Sequence, residues 1–168
     1  MKTLRSFVSI MGILAAIAIS VSAQTSFDSI SGSRVDLAQS KGKVVILAVG
    51  ASWLPLSAKQ AEYTNTLAKR YTGKEVIVYF VATDSSAARS KNFASNDDIL
   101  RFASTNKLTV PVLRDPDGAI ILKLYDVDQL PSFVILDKRG NRSGESFGGI
   151  DPKADITIPI SKAVDKLL

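Results

Sequence analysis

The chain has 168 residues, 21 Lys and Arg against 16 Asp and Glu for a formal charge of +5, and neither Cys nor His. That length supports one domain with a real core and no covalent staples. The missing residue types exclude disulfides, thiolate nucleophiles, imidazole triads and Cys/His zinc sites, and the scattered basic residues, not interleaved with aromatics, argue against nucleic-acid binding.

Met1-Lys2-Thr3-Leu4-Arg5 is a short basic start before an apolar run from Phe7 to Val21. Val21-Ser22-Ala23 supplies the small residues a signal peptidase reads, with Gln24 as the new N-terminus. The pattern predicts a signal peptide over 1–23, a single domain over 24–168, and a secreted or periplasmic protein free of the membrane once cleaved. The other reading of the run is an uncleaved anchor, for which it is short. No Cys follows it, so a lipoprotein anchor is excluded. An oxidising compartment permits disulfides, so nothing in the environment forces cysteine out.

Thr25 to Gly42 is polar with single apolar residues, and Ser31-Gly32-Ser33 predicts the tip of a short hairpin. Val44 to Val49 is a near-continuous apolar run, the mark of a strand covered on both faces. The segment Gly50-Ala51-Ser52-Trp53-Leu54-Pro55-Leu56-Ser57 follows it. Beyond lies a helix over Gln60 to Tyr71, with Pro55 at the first helical position and Leu56, Tyr63, Leu67 and Tyr71 on one face. Glu75 to Ala82 is a second buried strand, parallel to the first. The turn at the carboxyl end of a strand that enters a helix is a natural functional position, and it carries the only Trp, Trp53.

After a polar loop, Asn96 caps a helix from about Asp97 to Thr105 whose apolar face is Ile99, Leu100, Phe102 and Ala103. Val110-Pro111-Val112-Leu113 is a short strand. Asp115-Pro116-Asp117-Gly118 is a turn, lacking the further oxygen ligands a calcium loop needs. Ala119 to Tyr125 reads as helix, with Ile120-Ile121-Leu122 leaving strand as an alternative. Phe133 to Leu136 is a strand, Asp137 to Asn141 a hairpin turn, Arg142 to Phe147 the return strand. Ile156, Ile160, Val164 and Leu167 mark a terminal helix, with Pro159 tolerable only near its first turn.

The Lys41-Gly42-Lys43-Val44-Val45-Ile46-Leu47 entry strand, the Ala51-Ser52-Trp53 turn, Val112-Leu113-Arg114-Asp115-Pro116-Asp117-Gly118 with Leu124-Tyr125-Asp126-Val127, and Leu130-Pro131-Ser132-Phe133-Val134-Ile135-Leu136-Asp137-Lys138-Arg139-Gly140 occur in order. Together they resemble the secreted thioredoxin-like redoxins of the TlpA/ResA type, from about Phe27 to the C-terminus. The resemblance implies an α/β thioredoxin-like fold, a central mixed β-sheet flanked by helices. It also implies thiol–disulfide exchange with protein substrates. Leu54 matches the attacking cysteine of that family, Ser57 the resolving one, and Pro131 the cis-proline facing them. A buried acid often found six residues before the first cysteine is Ala48 here.

Leucine has no ionisable group, and a serine without an activating base is a weak nucleophile. Ser57 and Lys59 point to different helix faces and form no dyad. The chain by itself therefore carries no catalytic residue, no metal ligands and no cofactor. Trp53, Leu54, Pro55, Leu56, Ser57, Leu130, Pro131 and Ser132 remain as a candidate groove for an extracytoplasmic protein or peptide, with Trp53, Leu54, Leu56 and Leu130 expected near Pro131. The alternative is a family oxidoreductase contributing to redox homeostasis only beside a thiol-bearing partner. A third reading has these side chains merely covering the helix end or packing under Ser29–Leu37. The sequence does not specify an oligomeric state.

Overall fold

The computed structural model describes residues 25–168, so the expected signal peptide over 1–23 lies outside the described residues. Six strands form one mixed sheet in the order β2-β1-β5-β4-β3-β6: β1 (Ser26–Ser29), β2 (Arg34–Asp36), β3 (Val44–Gly50), β4 (Val76–Ala82), β5 (Val112–Arg114) and β6 (Ser132–Leu136). The helices are α1 (Ser57–Arg70), α2 (Asn96–Thr105), α3 (Ile121–Leu124) and α4 (Thr157–Asp165). β3, β4 and β5 run parallel, while β6 and the β1–β2 hairpin are antiparallel to their neighbours. Among the described residues, no helix is long and apolar enough to cross a membrane.

Every residue of β3 is buried, because helices and loops cover both faces of the sheet. Its side chains alternate between two cores. Val44, Ile46 and Ala48 meet Tyr63 and Leu67 of α1, Tyr71 just past its end, Ile99 and Ala103 of α2, and Ile160 and Val164 of α4. Val45, Leu47 and Val49 meet Phe27, Leu37, and Ile121 and Tyr125 around α3. The hydroxyl of Tyr71 donates to Asp165 at 2.8 Å and to the Ser161 carbonyl at 3.2 Å, and Arg70 pairs with Asp165 at 3.0 Å. These bonds tie the end of α1 to α4.

Four expectations need correction. First, α1 begins at Ser57, three residues before Gln60, and Pro55 lies in the turn before it rather than at the first helical position. The Ser57 amide reaches back to the Leu54 carbonyl (3.1 Å) and the Gln60 amide to that of Leu56 (2.9 Å), so the turn winds directly into the helix.

Second, Ser95 rather than Asn96 caps α2. Its hydroxyl accepts from the Asp98 amide while the Asp98 carboxylate accepts from the Ser95 amide, a reciprocal capping box. Third, Leu100 is half exposed and leaves the apolar face of α2 to Ile99, Phe102 and Ala103.

Fourth, the return segment Arg142 to Phe147 is not a strand. It touches β6 only at the bridges Leu136–Arg142 and Phe133–Phe147. Between them the return segment has two residues more than β6, and the excess bulges at Gly144, whose φ is +75°.

The expected turn at 115–118 is held by internal bonding. Asp115 is buried and accepts from the Ile120 and Ile121 amides, capping the approach to α3, while Asp117 (φ +58°) accepts from the Ser85 hydroxyl. Burial raises the Asp115 carboxyl above its ordinary value against the opposing pull of those two amides.

The capping box makes a direct prediction. Ser95→Ala should cost about 1 kcal/mol in urea denaturation, while Asn96→Ala changes stability by a few tenths. The Ser95 hydroxyl and amide hold the Asp98 carboxyl below its ordinary value. A depressed carboxylate stabilises the fold fully above its unfolded pKa and loses that effect as pH falls through the folded one. The difference between wild type and Ser95→Ala should therefore narrow in acid.

Candidate functional site

The site is assembled at the carboxyl ends of β3 and β4 and the start of β6. Register places Gly50 beside Ala82 and Val49 beside Ser132, so the turn 51–56 and the Leu130-Pro131 approach to β6 leave the same end of the sheet. The Leu130–Pro131 peptide bond is cis. Pro131 and Ser132 are buried, Leu130 half-buried.

The turn is stitched internally. The Ala51 carbonyl accepts both the Leu54 amide (3.2 Å) and the Ser57 hydroxyl (2.5 Å). Ser57 is fully buried, and its proton is committed to that carbonyl. With no base beside it, it has no route to nucleophilic activation. Leu54 is half-buried, Pro55 exposed, and Trp53 half exposed at the tip.

The candidate side chains do not form one patch. Leu56 packs against the core that holds α1, whereas Leu130 packs against the α3 core on the opposite face of the sheet. What faces outward at this end is Trp53 with Leu54 and Pro55, together with the backbone before the cis bond. Neither the amide nor the carbonyl of Leu130 has a hydrogen-bond partner among the described residues.

Two residues that pattern reading passed over hold this frame. Gln60 sits in the first turn of α1 and is fully buried. Its amide nitrogen donates to the carbonyls of Val49 (3.1 Å) and Ser132 (2.8 Å), clamping β3 to β6 immediately under the turn. Gly50 makes room for it: a Cβ there would collide with the Gln60 oxygen. That oxygen and the Ser132 hydroxyl have no partner among the described residues.

The second is Asp84, also fully buried, which accepts from the Ser52 amide at 3.0 and 3.1 Å and from the Ser52 hydroxyl. It ties the turn to the loop after β4. Arg114 on the same side donates to the carbonyls of Ser85 (3.3 Å) and Ala94 (2.7 Å). Burial pushes its guanidinium below the ordinary value, opposed by the charges of Asp84 and Asp117. Gln60 lies four residues after Leu56 and three before Tyr63, so helical spacing alone places it on the buried face of α1, a signal the polar residue type masked. A single Asp after a strand reads as loop, and only proximity reveals what Asp84 and Gln60 bond to.

Ala48 is fully buried in the α1 core and paired with Phe133, so the position of the family's acid is apolar throughout. Neither Leu54 nor Ser57 carries a thiol that could attack a disulfide.

The AhpC/TSA family pattern matches residues 15–141. The thiol-disulfide oxidoreductase ResA of Bacillus thuringiensis subsp. konkukian is 32% identical over 111 residues, 66% of this chain and 58% of ResA. The thioredoxin-like protein YneN of Bacillus subtilis is 31% identical over 115 residues, 68% of this chain and 62% of YneN. The chain thus spans about three fifths of the curated relatives it matches.

Among solved structures, the exposed lipoprotein thioredoxin Etrx1 of Streptococcus pneumoniae aligns over 86% of this chain and 100% of its own, with TM-score 0.68 and 25% identity. A secreted Mycobacterium tuberculosis disulfide oxidoreductase homologous to E. coli DsbE aligns over 86% and 96%, with TM-score 0.65; at 24% identity it supports the fold alone.

The clamp can be tested directly. Gln60→Glu places a carboxylate against two carbonyl oxygens in a buried site, with nothing to neutralise it. Stability at neutral pH should fall by about 2–4 kcal/mol. The deficit should shrink in acid, where a protonated Glu can donate to one carbonyl. Thermal melts across pH read both effects.

Proposed function

The chain belongs to the AhpC/TSA family, and from that membership, set against a site with no thiol in it, we propose that it is a redox-inactive member that binds an extended protein or peptide segment outside the cytoplasm. The observation that carries this reading is the unpartnered backbone of Leu130 beside the cis Pro131. A buried or half-buried amide and carbonyl want partners, and an extended segment pairing in the manner of an added strand supplies both. Such pairing needs no cysteine. Trp53, Leu54 and Pro55 add apolar surface across from it, and aromatic side chains anchor interfaces well. Leu56 and Ser57 lie behind that surface and hold the turn in shape, and Ser132 anchors the opposing wall through its carbonyl.

A location outside the cytoplasm is supported by the basic-then-apolar pattern of Met1 to Ala23 and by likeness to the exposed lipoprotein Etrx1. The second reading, a family oxidoreductase acting beside a thiol-bearing partner, draws on the oxidoreductase relatives alone.

Fluorescein-labelled nonapeptides with positions randomised among Ala, Ser, Val and Leu provide the probe. Anisotropy should report binding, and Leu54→Asp, a change at the turn surface, should weaken it by about tenfold or more with the melting temperature unchanged. Binding that ignores the new charge would remove the groove from consideration. A companion variant, Leu54→Cys with Ser57→Cys, should form an intramolecular disulfide and gain disulfide reductase activity. Without that disulfide the correspondence of these positions to the family's cysteines is wrong.

A further inference from the structure

The residue before the pairing segment, Gln129, is a shared wall of two clefts. One, of about 500 Å³, has apolar lining from Phe147, Ile156 and Pro159 and carboxylates from Asp151 and Asp155. The other, of about 340 Å³, is bounded by Asp126, Asp128, Glu145 and Arg142. Ser146 also lines both. A Cβ on Gly148 would collide with the Gln129 side-chain amide, so glycine there lets Gln129 lie down on the chain.

The cleft is held rigidly against the site. The Phe147 amide and carbonyl exchange bonds with those of Phe133 at 2.8 and 2.9 Å, one residue beyond Ser132. On the other side the Tyr63 hydroxyl of α1 donates to the Ala154 carbonyl at 2.9 Å.

Charge separates this surface from the rest of a chain whose formal balance is +5. Asp128, Glu145 and Asp151 form no ion pair among the described residues. Arg142 keeps its positive charge in the smaller cleft, where Asp126, Asp128 and Glu145 outnumber it. Its guanidinium is spent on the carbonyls of Tyr125, Asp126 and Gly144, and its one carboxylate partner, Asp126, is 3.7 Å away. The Thr157 hydroxyl and amide hold Asp155 below its ordinary value and bond only its Oδ1. Lys59, which pairs with Glu62 at 2.8 Å over the Tyr63 ring, and Lys153 line an adjoining cleft that shares Ala154 and Asp155 with the larger one, and the charge of Lys59 helps hold Asp155 below its ordinary value. An acidic rim alone would be an ordinary solvated face. Joined to an apolar floor and to the free backbone of Leu130, it selects among segments that could pair there.

Resting on the groove reading above, we propose that the bound segment is cationic: an extended polypeptide that places a Lys or Arg in the cleft beside Gln129. The methylene stem of that residue lies over Phe147, Ile156 and Pro159, and its charged end reaches Asp151 and Asp155. Asp128 and Glu145 extend the same attraction along the neighbouring cleft and favour encounter with basic segments.

The same nonapeptides carrying Lys, norleucine or Glu at the central position test this. The Lys series should bind about fivefold more tightly than the Glu series, as two partly exposed carboxylates would give, and added salt should erode the difference. In Asp151→Asn with Asp155→Asn, where the carboxamide oxygens still accept the Lys153 and Thr157 amides, the Lys advantage should fall to about twofold or less, the remainder coming from Asp128 and Glu145, while the norleucine series is unchanged. Equal affinity for Lys and Glu in the wild type, or a Lys advantage undiminished by the double substitution, overturns the cationic segment and leaves the groove standing. Failure of all three series to bind removes the groove and this inference together. Circular dichroism of the variant confirms that each comparison is between folded proteins.

Discussion

The clamp that Gln60 makes between Val49 and Ser132 is the constraint on which this end of the molecule depends. A fully buried primary amide must spend its donors, because an unmade hydrogen bond in the core costs about 1–3 kcal/mol. By spending both on the last residues of β3 and the first of β6, Gln60 sets where the two strands separate. The turn 51–56 and the cis Leu130–Pro131 segment therefore depart from one place. Gly50 is part of the same arrangement, since any side chain there would occupy the space of the Gln60 oxygen. The start of α1 is fixed as well, because Gln60 can reach both carbonyls only if the helix is already wound from Ser57.

Around that clamp the site is altered in several places that agree with one another. Leu54 cannot ionise, Ser57 gives its proton to the Ala51 carbonyl, and Ala48 is packed into a wholly apolar core. Asp84, buried at this end, takes both the amide and the hydroxyl of Ser52 and so holds the turn. The result is a turn anchored from below by hydrogen bonds and apolar at its tip.

Much of the fold was legible because it follows from period and punctuation. The continuous apolar runs of β3 and β4, the helix-period face of Tyr63, Leu67 and Tyr71, and the Ser31-Gly32-Ser33 hairpin tip each announce themselves locally. The errors fell where local signals compete. Ser95 and Asn96 are both good caps, and only the reciprocal bond with Asp98 decides between them. Arg142 to Phe147 has strand composition, yet its two surplus residues cannot be matched against a partner of fixed length. Leu100 lies close to the apolar stripe of α2 but falls outside the arc that meets the sheet.

Residue type and spacing along one chain are enough for the sequence to specify the class of the fold, the order of its elements and the absence of any thiol. It could not show Gln60 bridging residues 49 and 132, Asp84 holding Ser52, or Gln129 lying over Gly148 between two acidic clefts. Those pairs are separated by many positions and share no local pattern. They meet only when the sheet has closed, so tertiary packing alone decides which polar side chains are consumed by the frame.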